Sequence, residues 1–453
     1  MSLDSVNLSR FGVGGVQLDA ALLTPLHKSR IESCLSRYLL KHPSSQANIR
    51  VEVTKDPDLK EVARIIRYYQ HMGLLPTKKV DPKEAELRER ATRAGIRAMH
   101  QASVPGVSGQ IIAGVRIAED TLSVTRNLLS ALPPIGEDNP VISHLGYYAG
   151  AMWSFFGTRE WMGGREDLKR AKKIHDEEGT RRALARITSG AIVGTASAAY
   201  LSGKVFDTFG ISQASLGSLA MANILFGLGS LLAFGMSTLG WIRCRRFDKR
   251  LSEYLENPHL TEWQKIRGAL WFLKDAVSVT PEEMADLRAK IEKKHGYLSS
   301  IEKENLLQRD LTHLTESKVK YLKRRTSVKG LRLIMQHVDS LLDKLGDEQK
   351  RPEAIKEAAL LLQKIQNETR VKTSLHILSF IAGMISFVAM AISALITGGA
   401  LTFVLYGVSG AIYLCMEIYN TAALFKRKDH DDLGIELHPI QELIPLDGHA
   451  NLV

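Results

Sequence analysis

From Thr373 to Met416 the chain reads "TSLHILSFIAGMISFVAMAISALITGGALTFVLYGVSGAIYLCM", without a single Lys, Arg, Asp or Glu. No other stretch restricts the fold as strongly, because charged residues make up 24% of the whole sequence. A spanning helix needs about 20 apolar residues to cross a hydrocarbon core roughly 30 Å thick. Ser374 to Ile396 is long enough for one crossing, and Ala400 to Leu424 for another. Thr397-Gly398-Gly399 between them is a turn signal. The region 373–425 therefore reads as a transmembrane helical hairpin. A core hairpin in a soluble bundle is the competing reading, but core helices keep a polar stripe for solvent and this pair has none.

A second, weaker hairpin is expected over 187–242. "ITSGAIVGTASAAYLSG" opens it, the link "KVFDTFGISQAS" follows, and an uncharged run extends from Leu216 to Trp241. Gly190, Gly194, Ala198 and Ser202 recur every four residues. That spacing predicts a small-residue packing face, which in lipid permits close backbone approach. The Gly227 and Gly235 side of the next helix is the expected partner. Basic residues flank both hairpins: Arg181 and Arg182 before the first, Arg243, Arg245 and Arg246 after it, Lys426, Arg427 and Lys428 after the second. Cations resist translocation, so these positions are topology anchors that keep both termini on the cytosolic side. A third apolar run, 139–158, is rich in aromatic rings and is expected to be interfacial or re-entrant.

The remaining segments read as soluble and helical. Residues 1–100 form a small, mainly helical cytosolic region, with Leu59, Val62, Ile65, Ile66 and Tyr69 at helical spacing and one possible strand in "NIRVEVT" at 48–54. A glycine-containing linker is expected over 101–138, and a basic helical loop over 159–186. Residues 243–372 predict a helical bundle or short coiled coil. There Thr280 is an N-cap followed by Pro281, and Ser299 with Glu302 forms a capping box. Leu331, Ile334, Met335, Val338, Leu341, Leu342 and Leu345 follow three-four spacing. The helix opening at Pro352 is expected to run straight into the second hairpin. An acidic tail occupies 426–453. The fold class is thus all-α, multi-span, with two transmembrane hairpins and helical soluble segments.

Function classes narrow by elimination. The net charge of +11 would suit nucleic acid, but the cations sit beside apolar segments, where they set topology or meet anionic lipid. No zinc-finger spacing or RNA-binding aromatic motif accompanies them, so no nucleic-acid partner is expected. Three scattered cysteines give no disulfide or metal framework. Cys244, in "WIRCRRF" at a membrane edge, could accept reversible acylation, with an unmodified thiol the commoner outcome. "IHDEEG" at 174–179 reads as a solvated helix end, since adjacent residues point different ways around a helix. No catalytic, cofactor or metal site is expected. The expected partners are the bilayer, an unknown protein engaging 247–372, and a second copy of the chain.

Paired hydrophobic helices with both flanks on one side resemble the inclusion-membrane proteins of Chlamydiae. The stretches 374–424 and 187–241 carry this resemblance. So do the runs "REDLKRAKKIHDEEGTRRALARI" and "GALWFLKDAVSVTPEEM". The resemblance implies type III secretion without a cleaved signal, insertion in a vacuole membrane, and helical domains that recruit host proteins. It covers about a third of the chain, and two hairpins depart from the simplest family pattern. A translocator or pore-forming protein that inserts its hairpins from a soluble state is the alternative.

Overall fold

The structure is a computed structural model that describes residues 12–13, 16–17, 23–41, 56–75, 81–103, 107–132, 140–173, 176–395 and 400–425. Apart from a two-residue antiparallel ladder, β1 (Gly12–Val13) with β2 (Val16–Gln17), the regular elements among the described residues are helices. The possible strand at 48–54, the turn at 397–399, the anchors Lys426, Arg427 and Lys428, and the tail 426–453 lie outside them.

The soluble body forms where local signals and apolar spacing agree. In α2 (Pro57–His71), Asp56 caps the N-terminus, and Leu59, Val62, Ile65, Ile66 and Tyr69 are all buried. It pairs with α1 (Pro25–Lys41) and packs on α8 (Glu262–Val277). Capping boxes open α8 at Thr261, α9 (Pro281–His295) at Thr280 and α10 (Ser300–Arg325) at Ser299. Each satisfies N–H groups that the helix itself leaves unpaired. The amphipathic α11 (Val328–Gly346) buries Leu331, Ile334, Val338, Leu341 and Leu345. These helices share one core with the ends of two longer ones, α7 (Ser212–Leu255) and α12 (Arg351–Leu395). Phe247, Leu251 and Tyr254 come from α7; Ala354, Ala358, Leu361, Leu362 and Ile365 come from α12. Residues 243–372 are therefore a multi-helix bundle, not a two-helix coiled coil. A smaller cluster joins α3 (Pro82–Ser103) to α9 and α10 through Ala91, Met284, Leu287 and Leu311.

Beyond this body α7 and α12 continue as one antiparallel pair. Ser237 and Ser379 hydrogen-bond across it at 2.7 Å, and Phe234 packs on Phe380 with ring centroids 4.4 Å apart. α13 (Ala400–Phe425) returns along α12, with Ser386 and Ser409 at 2.6 Å and Ser409 donating to the Ala382 carbonyl. These hydroxyls find partners inside an otherwise apolar layer, as a water-free setting demands. α7, α12 and α13 are the three described helices long and apolar enough to cross a membrane. They turn their apolar side chains outward: Leu216 is 69% exposed, Ile224 57% and Leu401 59%. That arrangement is the reverse of a buried soluble core.

Three further helices close a ring beside them. α6 (Glu177–Thr208) packs on α7, and α5 (Pro140–Lys173) runs antiparallel along α6. Tyr147 at one end donates to the Lys204 carbonyl at 2.7 Å. α4 (Val107–Ser130) then doubles back along α5 and lies antiparallel to α13. A Cβ on Gly407 would touch Leu128, and one on Gly410 would touch Val124. The order α4, α5, α6, α7, α12, α13 returns to α4.

Two expectations are corrected here. The linker expected at 101–138 contains α4; its glycines lower helix propensity, and packing on α13 and α5 overrides that penalty. The run 139–158 contains no re-entrant reversal, because α5 is one continuous helix whose glycine face is occupied by α6. α6 itself is long enough to span, but its Gly, Ala, Ser and Thr content leaves it less apolar than the three helices above.

Candidate functional site

The small-residue face of α6 contacts a different partner from the one expected. Gly190 lies against the Gly157 carbonyl and the Trp161 backbone of α5, and Gly194 lies over Gly157 and Thr158. Ala198 and Ser202 are exposed, and the Ser202 hydroxyl is turned back onto the Ala198 carbonyl. On α7, Gly227 meets Met390 of α12, and Gly235 has nothing within 4 Å of where a Cβ would sit. Small residues on α5 at helical spacings of four and seven, Gly146, Gly150, Gly157 and Gly164, were the signal that would have named the partner.

The basic residues give a more concentrated arrangement, where the ring meets the soluble body. α6 starts just outside the apolar layer. Asp176 caps it by accepting the Gly179 N–H at 2.9 Å, and Tyr321 of α10 donates its hydroxyl to the same carboxylate. This cap sets Glu178, Arg181 and Arg182 on the first turns. α7 leaves the apolar layer after Trp241 and carries Arg243, Arg246 and Arg250 at spacings of three and four, which one helix face shares. α10 ends with Lys323, Arg324 and Arg325, where cations complement the helix dipole.

Between these three helix ends lies a cavity of about 360 Å³ that is open to solvent. Its lining holds five guanidiniums, Arg181, Arg243, Arg246, Arg250 and Arg325, and one carboxylate, Glu178. Phe247 and Phe272 of α8 form its apolar wall, their ring centroids 5.5 Å apart. Glu178 is shared: Arg243 approaches it at 3.7 Å, Arg325 at 3.5 Å, and Arg182 bonds to it from behind. Among the described residues no carboxylate pairs with Arg181, Arg246 or Arg250. Arg182 is buried with its guanidinium 4.2 Å from the centre of the Tyr321 ring, and burial plus the nearby Arg324 charge push its pKa down to about 10. Burial, Arg64 and Arg325 likewise lower that of Arg250.

The opposite face of α6 makes a useful contrast. A cavity of about 70 Å³ there is also lined by arginines, but Arg186 is answered by Glu160 at 2.6 Å and Asp167 at 2.8 Å. The smaller cavity sets three carboxylates, Asp167, Asp176 and Glu316, against five cations, whereas the larger sets one against five.

Of the expected anchors, Arg181, Arg243 and Arg246 meet in the cavity, Arg182 braces it from behind, and Arg245 is exposed outside its lining. Arg250, Arg325 and Glu178 were missed. The three-four spacing from Arg243 pointed to Arg250, whereas only the tertiary fold brings Arg325 there. Cys244 faces inward, its thiol 3.4 Å from the Arg324 carbonyl, and burial pushes its pKa up to about 11. A buried thiol of raised pKa is poorly placed for acylation, which favours the unmodified thiol. Asp176 in "IHDEEG" is a helix cap, and among the described residues no cluster of His, Cys, Asp and Glu is placed to hold a metal.

Compared with protein-family models, curated proteins and solved structures, the chain matches none.

Proposed function

We propose that the chain is a non-enzymatic, multi-pass membrane protein whose helix ring holds a rigid helical interaction scaffold against one face of a bilayer. The observation that carries this reading is the continuity of α7 and α12. Each is a single helix of more than 40 residues, outward-facing and apolar at one end and part of the soluble core at the other. A body mounted on two uninterrupted helices cannot swing freely, so a surface it presents is held at a fixed height above the membrane.

In this reading the soluble body and both termini are cytosolic. α4 and α5 supply a third hairpin that keeps residues before 107 on the body's side. Under the resemblance to inclusion-membrane proteins, the bilayer would be a vacuole membrane and the body would face host cytosol. A partner protein or a second copy is then expected to engage 247–372.

The experiment is flotation of the full chain with lipid after alkaline carbonate extraction, followed by protease treatment of sealed vesicles. The expected result is flotation, with cleavage confined to the soluble body and all three hairpins of the ring spared. A chain left in the soluble fraction without detergent would sink the proposal. For the vacuole assignment, antibody against the body should stain the vacuole rim after selective permeabilisation of the host plasma membrane; label confined to a bacterial envelope excludes it.

The ring favours one second reading, a pore or translocator. Its closed order brings Arg116, Glu119 and Asp120 of α4 among apolar helices, with Glu119 only 2% exposed. Ionisable groups at such depth mark ion pathways more often than anchors. Dye release from liposomes on addition of detergent-free protein would favour it.

A further inference from the structure

We propose that the arginine-lined cavity at the base of the ring is a binding site for a phosphate-bearing anion, supplied by the headgroup of an acidic phospholipid. Three independent features of the site converge on this chemistry.

The first is charge. Five guanidiniums face one carboxylate, and that carboxylate is already divided among Arg182, Arg243 and Arg325. Glu61 and Glu253, whose charges act on Arg250, are paired elsewhere: Glu61 to Arg64 at 2.9 Å and Arg30 at 3.1 Å, and Glu253 to Arg64 at 3.3 Å. Arg181, Arg246 and Arg250 are solvent-exposed, so their mutual repulsion is moderated by water, and an anion that joins them relieves what is left. Guanidinium is the cation best suited to answer phosphate, since its planar fork donates two parallel hydrogen bonds to the oxygens.

The second is position. With a rise of about 1.5 Å per residue, Arg243 to Arg250 stand roughly 3 to 14 Å beyond Trp241, where the apolar run of α7 ends. The polar headgroup layer adds about 5–8 Å to each side of the hydrocarbon core. With the hydrocarbon boundary at Trp241, Arg243 and Arg246, about 3 and 8 Å beyond it, fall within that layer, and Arg250 lies just outside it.

The third is shape. The volume falls within the range of small-ligand sites, and the Phe247 and Phe272 rings form one wall. A headgroup carries its phosphate beside an apolar glycerol and acyl stem, so one wall of each character suits it. Glu178 holds Arg243 and Arg325 apart at fixed positions and so preorganises the recess.

The lipid source rests on the membrane reading proposed above, whereas the phosphate site does not. A free phosphate ester could supply the same chemistry, and the test separates the two. Full-length protein in neutral detergent is titrated with phosphatidic acid, with phosphatidylcholine and with inorganic phosphate, and bound species are counted by native mass spectrometry. Saturable binding of phosphatidic acid with little phosphatidylcholine is expected. It should weaken at least tenfold in the double variant R246Q/R250Q and remain unchanged in R245Q, which sits on the same helix outside the cavity. R181Q, on α6, gives the same reading should the α7 pair fail to fold. Phosphatidic acid bound without inorganic phosphate assigns the site to lipid. Inorganic phosphate bound as tightly, with the same dependence on Arg246 and Arg250, keeps the site and assigns it to a soluble ester. Absence of saturable binding in both arms overturns the proposal, as does an equal loss in R245Q, which would mean diffuse electrostatic attraction.

Discussion

Gly157 on α5 and Gly235 on α7 are expected to respond oppositely to substitution. A Cβ on Gly157 would lie 2.5 Å from the Gly194 amide nitrogen and 2.8 Å from its Cα, both backbone atoms that cannot turn aside. Gly157→Leu should therefore push α5 off α6 and cost about 1–3 kcal/mol or more. At Gly235 a methyl meets open space, so Gly235→Ala should be neutral or stabilise by up to about 1 kcal/mol through helix propensity. Thermal unfolding of the detergent-solubilised chain checks both. The four-residue spacing made the α6 face legible; its partner was not, because the aromatic rings of the apolar run 139–158 pointed to an interfacial or re-entrant segment. A second residue-scale test concerns Asp275. Its carboxylate is largely buried, which alone would raise its pKa. The hydrogen bond from His71 at 2.9 Å and the charges of Arg67 and Lys318 nonetheless hold it below the usual carboxylate range. His71 in turn bonds the Tyr254 hydroxyl at 3.0 Å. A depressed folded-state pKa contributes stability above the unfolded value of about 3.9, lost as pH falls through the folded value. Asp275→Asn should cost about 1–3 kcal/mol at pH 7. The gap between variant and wild type should narrow as pH drops from about 5 towards 3. A gap that stays constant with pH would mean the carboxylate's charge is not what stabilises.

At the scale of elements, legibility followed how local the signal was. Capping at Thr280 and Ser299 needs only residues three apart, and both caps form as the sequence predicts. The register of α11 and the unbroken run from Arg351 into the second hairpin were equally open to reading, since amphipathic spacing and a charge-free stretch are visible along one segment. α4 was not legible as a helix of the ring. Arg116, Glu119, Asp120 and Arg126 make it look like a solvated linker, and what recruits it is packing on helices far away in sequence. Its placement predicts a specific cross-link. A Cβ on Gly410 would lie 2.9 Å from Val124 Cγ2, within the reach of a disulfide. In a chain carrying Cys415→Ser, the pair V124C and G410C should oxidise to an intramolecular disulfide detectable by peptide mass spectrometry. V124C with G235C should not. Failure of the first pair, or equal reaction of both, would mean α4 does not close the ring.

For the whole molecule, the sequence suggests beads on a string, a small N-terminal region and a middle bundle separated by membrane segments. In the structure α1 and α2 instead complete the core built by α8, α11 and the ends of α7 and α12, which spacing within one segment cannot foretell. The consequence is a strict two-sided arrangement. Every helix of the ring has one end at the soluble body, and the other ends gather at the opposite face. There the turn Phe209-Gly210-Ile211 joins α6 to α7, with Gly210 at φ +72° in the left-handed region that favours glycine. Phe209 is 75% exposed on that face, while Tyr297 is 80% exposed on the body between α9 and α10. The chain's own thiols interfere little, since Cys34 and Cys244 are buried and Cys415 lies within the apolar α13. In sealed vesicles with the body outside, a membrane-impermeant maleimide should label Tyr297→Cys and leave Phe209→Cys untouched until detergent is added. Labelling of both positions in intact vesicles would place the 209–211 turn on the same side as the body, and α6 and α7 would then lie against the bilayer without crossing it. Labelling of Phe209→Cys alone would invert the topology, putting the arginine cavity on the far leaflet.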